Sequence, residues 1–163
     1  MFGLFGKKYK KQADIIGASL HKQIFDAMNV NEKLASIKIE SPFAAGYLNN
    51  FMRAGLEAEG ASIEEAEDYF EYICDGVYPK KLNSIVLNQS LLSMNDKSKQ
   101  KDYNLGGEVA ISDIHYEVIG KKFTEALGDD ILDNTSTNLK SYLLGKKMTY
   151  YNLDTKEEKT LKM

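Results

Sequence analysis

The spacing of apolar residues is helical along most of the chain. Between Asp14 and Met28 the stripe Ile16, Leu20, Ile24, Met28 recurs every fourth residue, and Ile15 and Phe25 widen it. That period predicts an amphipathic first helix with His21, Lys22 and Asp26 on its polar face. The alternation in LASIKIE, after Asn29, fits a short strand or an extended link equally well. SPFAAGYLNNFMRAGLEAEG then supplies a helix with Ser41 as N-cap, Pro42 at the first helical position and Gly60 as terminator. Phe43, Tyr47, Leu48, Phe51 and Leu56 share one side of it, an aromatic ridge facing the core.

ASIEEAEDYFEYICDG opens with a capping box, Ser62 to Glu65, and predicts one helix closing at Gly76. Its buried face would be Ile63, Ala66, Phe70, Ile73 and Val77, with Tyr69 and Cys74 at the borders. A further helix starts at Pro79 and turns Leu82, Ile85, Val86, Gln89 and Leu92 to one side. The polar run from Asn95 to Asn104 predicts an exposed loop. From Gly107 to Leu127 two templates compete. EVAISDIHYEV alternates like a strand at Ile114, Tyr116 and Val118, but Ala110, Ile111, Ile114, Val118 and Phe123 hold one helical face over a longer stretch. Helix is preferred, against the β-branched content. A last helix is expected from about Ile131 or Asn134 to Lys147, and the charged tail YYNLDTKEEKTLKM is expected to fray.

These elements make an all-α, single-domain bundle of about six helices. The alternative is an α+β fold with a small sheet formed by 34–39 and 108–119. Residues 1–12 form an apolar and basic leading segment, 13–149 the helical domain and 150–163 the charged tail.

Length and composition sharpen this by exclusion. A chain of 163 residues can bury a core without staples. The single cysteine, Cys74, cannot close an internal disulfide or supply a thiolate zinc cluster. No apolar run approaches the roughly 20 residues of a bilayer-spanning helix. In MFGLFGKKYKK the apolar residues precede the lysines, the reverse of a secretory leader. A cytoplasmic protein is therefore expected, with the inner membrane face as a second location. The net charge is −3, and Arg53 is the sole arginine among 21 basic residues. A reader of base edges relies on arginine forks, so nucleic acid is disfavoured as a partner. The lysine, asparagine and isoleucine bias matches an AT-rich, bacterial type of genome.

Motifs for chemistry are scarce. The GKK sequences at Gly120 and Gly145 lack the upstream glycine of a phosphate-binding loop, and no HExxH or ExxH pair is present, so no cofactor or metal is expected and no catalytic residue is assigned. Asp113, His115 and Glu117 form a weak candidate ligand site. On a strand all three would line one face, whereas on a helix His115 points away from the other two. Cys74 reads as a small core hydrophobe.

Two surface features stand out. Between Arg53 and Lys80 no basic residue interrupts a series of acids that includes Glu64, Glu65, Asp68 and Glu71. Such a face can steer a basic partner or another copy's lysines. The leading segment offers Phe2, Leu4 and Phe5 beside Lys7 and Lys8, apt for a groove, a second subunit or an anionic membrane surface. Together they predict a helical protein–protein interaction or regulatory module, with a protein partner or a homo-oligomer. The alternatives are a peripheral membrane-surface protein using MFGLFGKKYKK, and a helical small-ligand binder or enzyme with its site near His115.

Overall fold

The computed structural model describes residues 8–118, 138–152 and 154–163, with backbone alone for 115–118. The chain forms α1 (Lys10–Ile39), α2 (Pro42–Ala58), α3 (Ile63–Glu67), α4 (Phe70–Asp75), α5 (Leu82–Met94), α6 (Lys97–Val118) and α7 (Asn138–Leu143). Two strands follow, β1 (Met148–Asn152) and β2 (Glu157–Leu161), which pair antiparallel with Met148 opposite Leu161. The expected helical bundle is thus present, with one small sheet added.

The core is the ridge predicted on α2. Phe43, Tyr47, Leu48, Phe51 and Leu56 are all buried, against Ile16, Leu20 and Ile24 of α1. Ser41 starts α2 as read from sequence: its Oγ accepts from Ala44 N at 3.2 Å, and Pro42 occupies the first turn. Gly60, at φ +98°, ends the segment in the left-handed region that glycine adopts without cost. The α2–α6 contact is unusually close. A Cβ on Gly46 would lie 1.9 Å from the Tyr103 carbonyl oxygen, and one on Gly106 would lie 2.0 Å from that of Phe43. Only hydrogen side chains let these two backbones touch.

Several expectations are corrected. LASIKIE is helical, because α1 breaks at Asn31 (φ −152°, ψ 84°) and restarts there. The Asn31 Oδ1 accepts from Leu34 N at 3.1 Å, a cap inside one long element. The single helix expected over 62–76 is two. Its capping box forms, with Ser62 N donating to Glu65 Oε2 at 2.8 Å and Glu65 N to Ser62 Oγ at 3.1 Å. A tight turn at Asp68 and Tyr69 then separates α3 from α4. The turn rotates the faces, so Tyr69 and Cys74 go inward while Ile63 is left exposed.

The polar run at 95–104 is not a loop. Asp96 Oδ1 accepts from Ser98 N and Lys99 N at 2.9 and 3.2 Å, and this cap starts α6. Helix α6 continues through Val118, so neither 34–39 nor 108–118 joins a sheet. The rest of the predicted 107–127 helix, Phe123 included, and the start of the last helix at Ile131 or Asn134 lie outside the described residues. The tail does not fray. The expected boundary at 150 falls within β1, and Met148 and Tyr150 are buried against the bundle. Asn152 Oδ1 caps the hairpin turn by accepting from Asp154 N and Thr155 N, and Ser112 Oγ accepts from Tyr151 N at 2.7 Å. Nor is the leading segment separate up to residue 12. Tyr9 is buried and its N–H donates to Tyr69 Oη at 3.0 Å.

Candidate functional site

Helix α5 carries the main departure from the predicted core. Leu82 and Val86 are buried as expected, but Ser93 takes the inward position expected of Leu92, and Ser90, half-buried like Gln89, bonds toward α2. The reason is polar: Asn49 Nδ2 of α2 donates to Ser90 Oγ at 2.9 Å, and both serines bond back to their own helix carbonyls. The serine face being inward, the leucines are turned out. Leu87, Leu91 and Met94 are 57%, 53% and 76% exposed. They are spaced i, i+4, i+7, so they form one apolar stripe along the outer face of the helix. Leu92 borders it at 41% exposed. The four leucine and methionine positions are visible in the sequence, but which side of α5 faces α2 is decided by Asn49, a partner far away in the chain.

Charge is distributed unevenly around this stripe. At its start, Leu87 and Glu67 line one cleft, and α4, carrying exposed Glu71 and Asp75, packs on α5. Directly beyond Met94, Lys97, Lys99 and Lys101 open α6. Of the predicted acidic face, Glu64, Asp68 and Glu71 are exposed, and Glu65 is half-buried under its cap bonds. Lys8 meets Glu65 at 3.7 Å, so the structure joins the basic leading segment to the acidic face within one chain. Phe2, Leu4, Phe5 and Lys7 lie outside the described residues.

The cleft itself has a volume of about 530 Å³. Met52, Phe70 and Val86 give it an apolar lining, exposed Leu87 stands at its edge, and the carboxamides of Asn49, Asn50, Asn83 and Asn104 also line it. Arg53 also lines it, its Nη2 donating to Asn50 Oδ1 at 2.7 Å. Cys74 lies at its inner wall, 2% exposed, and burial, reinforced by the charge of Asp75, pushes the thiol up to about 12. A thiol held protonated and covered is a poor nucleophile. Cys74 is therefore expected to react with Ellman's reagent at neutral pH at least about a hundredfold slower in the native chain than in denaturant. Equal rates in both conditions would mean that the α4–α5 contact opens freely.

The weak candidate Asp113, His115 and Glu117 is not assembled in the way a strand would have aligned it. All three positions are on α6, where residues two apart lie about 200° from each other around the axis. Asp113 is buried and joins four elements: its Oδ2 accepts from Tyr47 Oη at 2.6 Å and its Oδ1 from Asn138 Nδ2 at 2.7 Å. Asn138 in turn donates to Thr149 O and accepts from Thr149 N. This is a polar clamp between α2, α6, α7 and β1. The side chains of His115 and Glu117 lie outside the described residues. His21, on the polar face of α1, accepts from Tyr78 N at 3.1 Å and stacks on Phe25.

Among the described residues no group of His, Cys, Asp and Glu could hold a metal ion, and no helix is long and apolar enough to cross a membrane. No family model, curated protein or solved structure matches this chain.

Proposed function

We propose that this chain is a protein–protein interaction module whose docking surface is the outer face of α5 and whose occupant is a second copy of itself. The observation that carries the reading is the solvent-facing stripe Leu87, Leu91 and Met94 on a helix whose opposite face is already packed. Contiguous exposed apolar side chains rimmed by charge are characteristic of contact surfaces. The charges favour self-association. Glu71 and Asp75 of α4 lie beside α5, and Lys97, Lys99 and Lys101 follow its end, so two copies related by a two-fold axis, with their α5 helices antiparallel, bring the α4 acids of each toward the lysines that open the other's α6.

Sedimentation of the full chain at about 100 µM, a concentration that populates complexes of micromolar affinity, is expected to give a dimer. Leu91→Glu, a change at an exposed position that leaves the core untouched, should return it to a monomer whose thermal midpoint equals that of the unaltered chain diluted until it too is monomeric. Raising the salt should weaken the dimer, because its flanking charge pairs are screened. A monomer throughout, or a dimer indifferent to Leu91→Glu, removes α5 as the contact.

A further inference from the structure

We infer that the cleft beside α5 is a binding site for a small zwitterion, a free amino acid or dipeptide, which sets its carboxylate on Arg53 and its ammonium on Glu67. The cleft adjoins the outer stripe at Leu87, but the inference rests on Arg53 and Glu67 and stands whether or not the chain self-associates.

Arg53 is the chain's sole arginine, and its planar fork matches a carboxylate through two parallel hydrogen bonds. It is half-buried, and Asn50 fixes it: the guanidinium donates to Asn50 Oδ1 while Asn50 Nδ2 donates to Gly46 O at 2.8 Å. The fork is thereby tied to the α2 backbone before any ligand arrives, which lowers the ordering cost of binding. No carboxylate of the described residues comes within ion-pair distance of it. Glu67 lines the same cleft and is likewise outside every such pair among the described residues. A cation and an anion that border one cleft without neutralising each other are complemented by a ligand carrying both signs.

The other walls fit the same class. Asn83 and Asn104 offer both donors and acceptors, as a peptide group requires. Phe70, Met52 and Val86 offer an apolar floor for a side chain. The volume, about 530 Å³, falls within the range of small-molecule sites and exceeds what a lone inorganic anion needs. Glu67 also repels polyanions, which argues against a nucleotide.

The test is titration of the isotopically labelled full chain with the dipeptide Ala-Phe, followed by amide chemical shifts. N-acetyl-Ala-Phe and Ala-Phe amide, each lacking one charge, serve as matched probes. Ala-Phe is expected to shift the signals of Arg53, Glu67 and Ser90, and each blocked probe should bind about tenfold more weakly. Arg53→Gln and Glu67→Gln should each cost a similar factor. Arg53→Lys keeps the charge, loses the fork, and should fall between. Absence of shifts at about 10 mM dipeptide overturns the proposal. So does equal binding of the blocked probes, and these two readouts stand even if a substitution at Arg53 perturbs the fold.

Discussion

Gly106→Ala is expected to lower the thermal midpoint by 10 °C or more, a loss of about 4 kcal/mol in a chain of this size. The new methyl carbon would sit 2.0 Å from the Phe43 carbonyl oxygen and 2.9 Å from both Phe43 C and Tyr47 N. These are backbone atoms in a continuous helix, so no rotamer change relieves the clash. The two helices must separate along their length, and the ridge of Phe43, Tyr47 and Phe51 loses its packing as they do. Gly46→Ala meets the Tyr103 carbonyl at 1.9 Å and should behave alike. Gly17→Ala is the control. Its Cβ would meet Ile73 Cγ2 at 3.6 Å, ordinary contact, and alanine is the better helix former by up to about 1 kcal/mol, so this variant should gain stability. Thermal melts of the three variants suffice. If all three move together, the close approach of α2 and α6 is not what holds this pair.

The second large effect is expected at Asp113. Replacing it by alanine removes the acceptor for Tyr47 Oη and for Asn138 Nδ2 in a buried site. A buried donor left without its partner costs about 1–3 kcal/mol, so urea unfolding should report a loss of about 3 kcal/mol for the variant. Tyr47→Phe should lose less by itself. Once Asp113 is already alanine it should lose less still, because the bond from Tyr47 Oη to the Asp113 carboxylate is then already gone, and that non-additivity is the signature of a direct bond. Strict additivity would sink the clamp. As Asn138 also engages both polar atoms of the Thr149 peptide unit, Asp113→Ala should loosen the hairpin before the rest, seen as faster amide exchange in β1.

These two sites mark where sequence reasoning succeeds and where it stops. The ridge on α2 was legible because its period, Ser41 cap and Pro42 all agree with one another, and local signals that agree seldom mislead. Gly46 and Gly106 showed nothing locally, since a glycine in a helix is informative only beside the backbone it meets. The polar run at 95–104 misled because composition suggested a loop while Asp96, one residue, was enough to cap a helix. Asp113 looked like chemistry because alternation set it beside His115 and Glu117. The helix instead turns it to Tyr47 and Asn138, which lie distant in sequence. Leu92 is placed inward by period alone, but Ser93 takes that position, on a face whose neighbour Ser90 is held by Asn49. The cleft drew residues from α2, α3, α4, α5 and α6, a convergence that no local pattern encodes.

The break at Asn31 also settles a question of size. A straight helix of 30 residues measures about 45 Å, slightly more than the roughly 40 Å diameter of a globule whose radius of gyration is about 15 Å, as expected for a chain of this length. An unbroken rod of that length would leave one end standing in water, its apolar stripe uncovered. By turning the rod partway, a single asparagine lets Ala13 near one end and Ile39 at the other both be buried. The first helix thereby becomes two shorter spans that fit within the globule they help to build.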